Sequence, residues 1–193
     1  MKNILVYCGS SAGFDEVYKN AAIELGKLMA EQGMRLIYGA GSVGLMGIIA
    51  DSILENGGEA IGVIPSFMEK WEVQHKGLTE CHVVETMHVR KQMMAEMADG
   101  VIAMAGGFGT LDELFEILTW RQLSLHAMPI GLLNTSGFYN PLLEMTERMV
   151  SEGFLKNVNK EMMMVSSTPG ELLEKLKGYT SDNQTVGKWI EKA

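Results

Sequence analysis

Val101-Ile102-Ala103-Met104-Ala105-Gly106-Gly107-Phe108-Gly109-Thr110-Leu111-Asp112-Glu113 reads as a strand, a glycine turn and the start of a helix. The apolar run 101–105 has the length and flanks of a buried strand. Gly106, Gly107 and Gly109 allow tight backbone turning and close approach of a ligand. Thr110 is expected to cap a helix over about 111–123. The first turn of such a helix offers free N–H groups and a partial positive charge, which suits a phosphate or another anion. Thr110-x-x-Glu113 is also the pattern of a capping box, in which Glu113 turns back to the Thr110 amide. Spacing alone leaves Glu113 open between a cap and a catalytic carboxylate.

Working outward, strands are expected at 3–8, 35–38, 59–64, 81–85, 101–105, 128–133 and 161–166. Helices are expected at 14–32, 45–55, 87–98, 111–123, 138–152 and 169–177, with a final short one at 187–192. Most strands are apolar throughout and alternate with helices, the pattern of a parallel sheet covered on both faces. The expectation is a single-domain, doubly wound (Rossmann-like) α/β fold over residues 1–193, its sheet mostly parallel. Ligands in such sheets bind beyond the carboxyl ends of the strands. Three strand ends are rich in glycine, at 9–13, 39–47 and 106–109, and all three should lie along one edge.

The composition is that of an ordinary globular chain, 47% hydrophobic and 21% charged over 193 residues. A net charge of −8 disfavours nucleic acid and anionic membranes as partners. Cys8 and Cys81 sit in apolar runs and read as buried thiols of a reducing compartment. With no signal-peptide pattern and no membrane-spanning run, the expected location is the cytoplasm.

Gly39-Ala40-Gly41-Ser42-Val43-Gly44 matches the dinucleotide fingerprint, but it follows the second strand and no acidic residue ends the next one. Phosphate or ribose contact is therefore expected there rather than NAD. No Walker lysine follows any glycine loop, and His75, His82, His88 and His126 are scattered without metal-ligand spacing. Arg90 and Lys91 stand near a helix start, against the dipole. Arg90 could grip phosphate in a fork or pair with Glu113, whereas Lys91 reads as a solvated surface charge. The 16 methionines read as core or interface filler. Residues 66–80 form a long loop, with Glu72 and His75 placed to close over a ligand or simply to face solvent.

Gly106–Glu113 resembles the PGGxGTxxE signature of the LONELY GUY family, cytokinin-activating phosphoribohydrolases long labelled lysine decarboxylases. Tyr7–Ser11, Tyr38–Gly41 with Gly44–Gly47, Met87-His88-Val89-Arg90-Lys91, Leu118–Trp120 with Gln122–Leu123, and Gly137–Leu143 resemble further family segments, so the likeness spans most of residues 3–155. Ala105 stands where the family has proline and Ala40 where it has glycine. Ala40 is expected to narrow the approach of backbone to a phosphate.

The resemblance implies hydrolysis of the N-glycosidic bond of a nucleoside 5′-monophosphate, typically N6-substituted AMP, to free base and ribose 5-phosphate. It implies Arg90 and Glu113 as the catalytic pair. Gly106, Gly107, Phe108, Gly109 and Thr110 would bind phosphate. Ser10, Gly41, Glu72, Lys91 and Thr119 would complete the substrate site. It implies no metal, no organic cofactor, and a homodimer or larger homo-oligomer with sites near the subunit boundary. Asp112 is a candidate for protonating the leaving base. Two alternatives are a nucleosidase acting broadly on AMP and its kin, and a non-catalytic carrier of a nucleotide or phosphorylated cofactor. A carrier needs the glycine loops but not the Arg90–Glu113 pair.

Overall fold

A computed structural model describes residues 1–68 and 74–180. Seven strands form one sheet: β1 (Asn3–Tyr7), β2 (Arg35–Tyr38), β3 (Glu59–Pro65), β4 (Glu80–Val84), β5 (Gly100–Ala103), β6 (Ile130–Leu133) and β7 (Met163–Ser166). Their order is β4-β3-β2-β1-β5-β6-β7, and every ladder is parallel. The expected doubly wound sheet is thus present, wholly parallel within these strands. The order reverses beside β1, which pairs with β2 on one edge and β5 on the other.

Alternate side chains of each strand enter opposite cores. Ile4 and Val6 of β1 pack with Leu36 and Tyr38 of β2. That core is covered by α1 (Glu16–Glu31), α2 (Gly44–Glu55) and α7 (Pro169–Lys177). Leu5 and Tyr7 face the other way, onto Ile37, Val63 and Val101. There α3 (Met87–Met97), α4 (Phe108–Gln122) and α5 (Asn140–Ser151) close the layer. Burial of each large aliphatic side chain contributes about 1.5–3 kcal/mol, so central strands without a polar interruption bind both layers together.

Several boundaries differ from the sequence expectation for identifiable reasons. Cys8 and residues 104–105 leave their ladders to form the turns: Met104 N–H still donates to Tyr7 at 2.8 Å, and Gly9 N–H donates to Ala105 at 3.0 Å. α1 begins at Glu16 because Asp15 caps it, its Oδ1 accepting from Val17 N–H at 3.0 Å, which leaves Phe14 outside and exposed. A 3₁₀ turn at Thr135–Gly137 delays α5 to Asn140, with Pro141 in its first turn as expected. A four-residue helix α6 (Asn157–Lys160) was not expected. The helix expected at 187–192 lies outside the described residues. No disulfide joins Cys8 and Cys81.

Candidate active site

The three glycine-rich loops meet beyond the carboxyl ends of β1, β2 and β5, and they are bonded in series. Gly9 N–H donates to Ala105 O, and Leu45 N–H donates to Gly9 O, both at 3.0 Å. Gly44, with φ +63°, sits so close to the first loop that a Cβ there would lie 2.2 Å from the Ser10 carbonyl carbon. A cavity of about 310 Å³ opens on this junction. Ser10, Arg90, Gly107, Phe108, Gly109, Thr110 and Glu113 all line it.

The start of α4 forms one wall. The helix begins at Phe108, two residues before the expected Thr110 cap. Gly107 occupies the N-cap position and no side chain caps the helix. The reciprocal Thr110–Glu113 box therefore does not form: Thr110 is already within the first turn, buried, its Oγ1 packed against Gly106. The leading N–H groups are left for a ligand. A Cβ added at Gly107 or Gly109 would meet nothing within 4 Å. The Phe108 side chain is 93% exposed at the rim.

Arg90 comes from the first half of α3, whose start is capped by Thr86 accepting from Val89 N–H at 3.2 Å. The Arg90 side chain does not pair with Glu113. Its Nε donates to Val63 O at 3.1 Å, its Nη2 to Gly39 O at 3.2 Å, and its Nη1 approaches the Met87 sulfur at 3.8 Å. Arg90 is only 6% exposed, so a guanidinium held by carbonyls keeps its positive charge inside the wall. An anion or an electron-rich oxygen is the complement of such a charge.

Glu113 lies one helical turn into α4. Burial pushes its carboxyl up to about 7, against the lowering influence of Arg90 and Lys91 and with the help of Asp112 and Glu116. Burial likewise raises the neighbouring Tyr7 hydroxyl and Cys8 thiol, and the Glu113 charge adds to both. A carboxyl poised near neutrality in a cleft is suited to proton transfer.

Lys91 is not the solvated charge its sequence position implies. It is 8% exposed, and its Nζ bridges Asp112 Oδ2 at 3.2 Å and Glu116 Oε2 at 3.0 Å. Its ammonium is thus committed to α4 carboxylates rather than directed into the cavity. Asp112, weighed as a proton donor, is held in the same ion pair.

The structure brings Ser10, Arg90, Asp112, Glu113 and residues 107–110 to one cavity, with Gly106 packed behind them on Thr110 and Gly9, and it places Gly41 and Thr119 elsewhere. Gly41 forms an antiparallel bridge with Gln74 and packs on Met46. The Thr119 hydroxyl donates to Phe115 O at 2.7 Å on an outer face of α4, where it lines a separate cavity of about 190 Å³ with Met149 and Leu155. Glu72 lies outside the described residues. His75 is a structural pin: its Nδ1 accepts from Gly77 N–H at 3.1 Å and its Nε2 donates to Asp51 at 2.9 Å. The fingerprint glycines make room for protein. Gly39 yields to Arg90 Nη2, 1.8 Å from where a Cβ would be. Ala40 adopts φ +64°, the conformation for which glycine is suited, and its methyl lies over Gly62. It does not narrow a phosphate site as expected from the sequence. Met46, Met68 and Met87 line the cavity although sequence pattern assigned methionines to filler. Met46 stands inside the second glycine-rich loop, which was the available signal; Met68 and Met87 carry none. Among the described residues no group of three His, Cys, Asp or Glu side chains converges to hold a metal ion.

Residues 46–176 match the family model described as "Possible lysine decarboxylase". The chain is 43% identical over 188 residues to the cytokinin riboside 5′-monophosphate phosphoribohydrolase LOG of Oryza sativa subsp. japonica, covering 97% of this chain and 78% of that one. It is 42% identical over 185 residues to the Arabidopsis thaliana enzyme LOG1, covering 96% and 87%. Among solved structures, the molybdenum cofactor binding protein of Rippkaea orientalis aligns with a TM-score of 0.69 at 24% identity, over 92% of this chain and 96% of that one. That last likeness is one of fold.

Proposed function

The chain belongs to the LOG family of cytokinin riboside 5′-monophosphate phosphoribohydrolases, and from that premise we propose how this site carries out the reaction. The substrate is a nucleoside 5′-monophosphate, an N6-substituted AMP in the first instance. The observation that carries the reading is one cavity holding a buried guanidinium, a carboxyl poised near neutrality and an uncapped helix start. The helix start and the open side of Gly107 and Gly109 receive the phosphate. Ser10 stands at the opposite lip.

Cleavage of the C1′–N9 bond leaves positive charge on the ribose, an oxocarbenium-like state resembling that of glycoside hydrolysis. Ionised Glu113 stabilises that charge and takes a proton from the attacking water, whose oxygen bonds to C1′. The base departs with the electron pair of the C1′–N9 bond and takes up the proton that water gave to Glu113, directly or through solvent, giving free base, ribose 5-phosphate and the ionised carboxylate again. Arg90, paired with no carboxylate among the described residues, attracts the anionic substrate and favours the ionised form of Glu113. The same two residues favour an enzyme over a carrier, which has no use for a tuned carboxyl.

Residues 1–193 are read as one nucleotide-hydrolysing domain without a resident metal or organic cofactor, acting in the cytoplasm. No described helix is long and apolar enough to cross a membrane. The exposed Phe115 of α4, Met145 of α5 and Phe154 in the turn after α5 support a homodimer or larger homo-oligomer, with Thr119 on the shared face.

Purified protein incubated with AMP, N6-isopentenyl-AMP and their nucleosides, followed by chromatography, tests the reading. Free base from the substituted monophosphate and little from its nucleoside is the expected result. Comparable release from AMP would broaden the substrate class. Release from none, with nucleotide still bound, would favour the carrier.

A further inference from the structure

Five charged groups are gathered where α3 crosses the start of α4. Arg90 and Lys91 are consecutive on α3; Asp112, Glu113 and Glu116 occupy the first turns of α4. Arg90 turns toward the sheet and binds carbonyls. Lys91 turns the other way and closes on Asp112 and Glu116, three residues apart from Glu113 at most, with its side chain 10% exposed. Glu116 is the more enclosed partner, its side chain 26% exposed against 66% for Asp112. Burial alone would lower the Lys91 ammonium, but its bonds to Glu116 and Asp112 outweigh that, and the net direction is up. Lys91 is therefore a persistent cation.

We infer that Lys91, clamped by Glu116 and Asp112, is a positioning residue: it fixes the first turns of α4 against α3 and offsets the two carboxylates that flank Glu113, without entering the cavity. The inference rests on Glu113 being the working carboxylate of the proposed reaction. The Asp112 and Glu116 charges disfavour the ionisation of Glu113, and the Lys91 charge favours it. Glu113 would therefore hold its proton more tightly if Lys91 were neutral. Among the described residues, the groups facing Glu113 are Arg90 and Lys91 from α3, Asp112 and Glu116 from its own helix, and Tyr7 and Cys8 from the β1 end. Both of the last two are raised well above their ordinary values and stay neutral near pH 7. Burial is the largest influence on Glu113, and upon it act the two cations against the two carboxylates of these groups.

The titration of the Glu113 carboxyl in the full chain, read by ¹³C NMR with Glu113→Gln to identify the resonance, tests this without needing turnover. Lys91→Met should raise the midpoint by about one pH unit, and Glu116→Gln should lower it by a comparable amount. Lys91→Arg, which keeps the charge, should leave it near the wild-type value. The acid limb of base release should move with each midpoint. Midpoints for Lys91→Met and Glu116→Gln that coincide with the wild type, or that move in the same direction, overturn the inference. If Lys91→Met does not fold, the downward movement in Glu116→Gln decides alone. Shifts of opposite sign in a protein that releases no base would leave the inference standing and remove the proposed reaction instead.

Discussion

The Arg90 guanidinium donates to the Gly39 carbonyl at 3.2 Å, and this bond joins α3 to the loop that leaves β2. A methyl group at position 39 would lie 1.8 Å from the same nitrogen. Gly39→Ala should therefore expel Arg90 from its seat without touching the charge itself. Base release is expected to fall at least about tenfold, and the lost buried bonds should lower stability by roughly 1–3 kcal/mol. Arg90→Lys should do similar damage, because one ammonium cannot span the Val63 and Gly39 carbonyls in a fork. Steady-state kinetics and thermal unfolding of the two variants check both expectations.

Glu113 makes two predictions with opposite signs. Its carboxyl is held near 7 in the folded chain against an ordinary value of 4.5. Since the ionised form is the reactive one, kcat/KM should fall about tenfold for each pH step below that midpoint. For stability, the folded state binds the proton more tightly than the unfolded chain. This contribution is complete below about pH 4.5 and is lost as pH rises through about 7. Glu113→Gln removes the loss, so it should be more stable than the wild type at pH 8 by roughly 2 kcal/mol and no more stable at pH 4. Its base release should drop by about 10²–10⁴. Urea unfolding at the two pH values separates this effect from a general change in packing.

Three glycines distinguish space kept for protein from space kept for ligand. At Gly44 a side chain would meet the Ser10 backbone at a positive φ, so Gly44→Ala should unfold the junction and yield little folded protein. At Gly107 and Gly109 a methyl group meets nothing. Alanine there should change stability by no more than about 1 kcal/mol, the ordinary cost of leaving glycine within or beside a helix being favourable or small. KM for the monophosphate should nevertheless rise, because the methyl enters the region where phosphate must approach. A KM unchanged in both variants would remove the phosphate from this wall.

Phe115 on α4 and Met145 on α5 are exposed beside the cavity that holds Thr119. Phe115→Glu should shift the protein toward monomer in sedimentation and reduce turnover, while leaving the far-ultraviolet circular dichroism unchanged. Such a variant sedimenting as the wild type would place the subunit contact elsewhere.

The sheet was legible in the sequence because a buried parallel strand needs an unbroken apolar run, and 4–7, 36–38 and 101–103 each supply one. The meeting of three glycine loops followed from the same logic. The α4 start was misplaced because Thr110 resembles a cap, yet in the fold it packs against Gly106 and the turn begins at an exposed phenylalanine. The partners of Arg90 were not legible: they are backbone carbonyls of Gly39 and Val63, 51 and 27 residues away, which carry no side-chain signature. Lys91 was misread for a related reason. A lysine near a helix start reads as solvated until a second helix brings Asp112 and Glu116 over it.

The central place of β1 has a consequence for how the chain comes into being. During synthesis β1 can pair at once with β2, but its other edge has no partner until residues 100–103 emerge. For that interval the nascent chain carries an apolar strand with an open row of hydrogen-bonding groups, the kind of edge that recruits foreign strands. The glycine turn and helix start that follow β5 supply six of the residues lining the candidate cavity, from Gly107 to Glu113. A ribosome-bound intermediate ending before Gly100 is therefore both sticky and inactive, and arrival of β5 cures the two conditions in a single step.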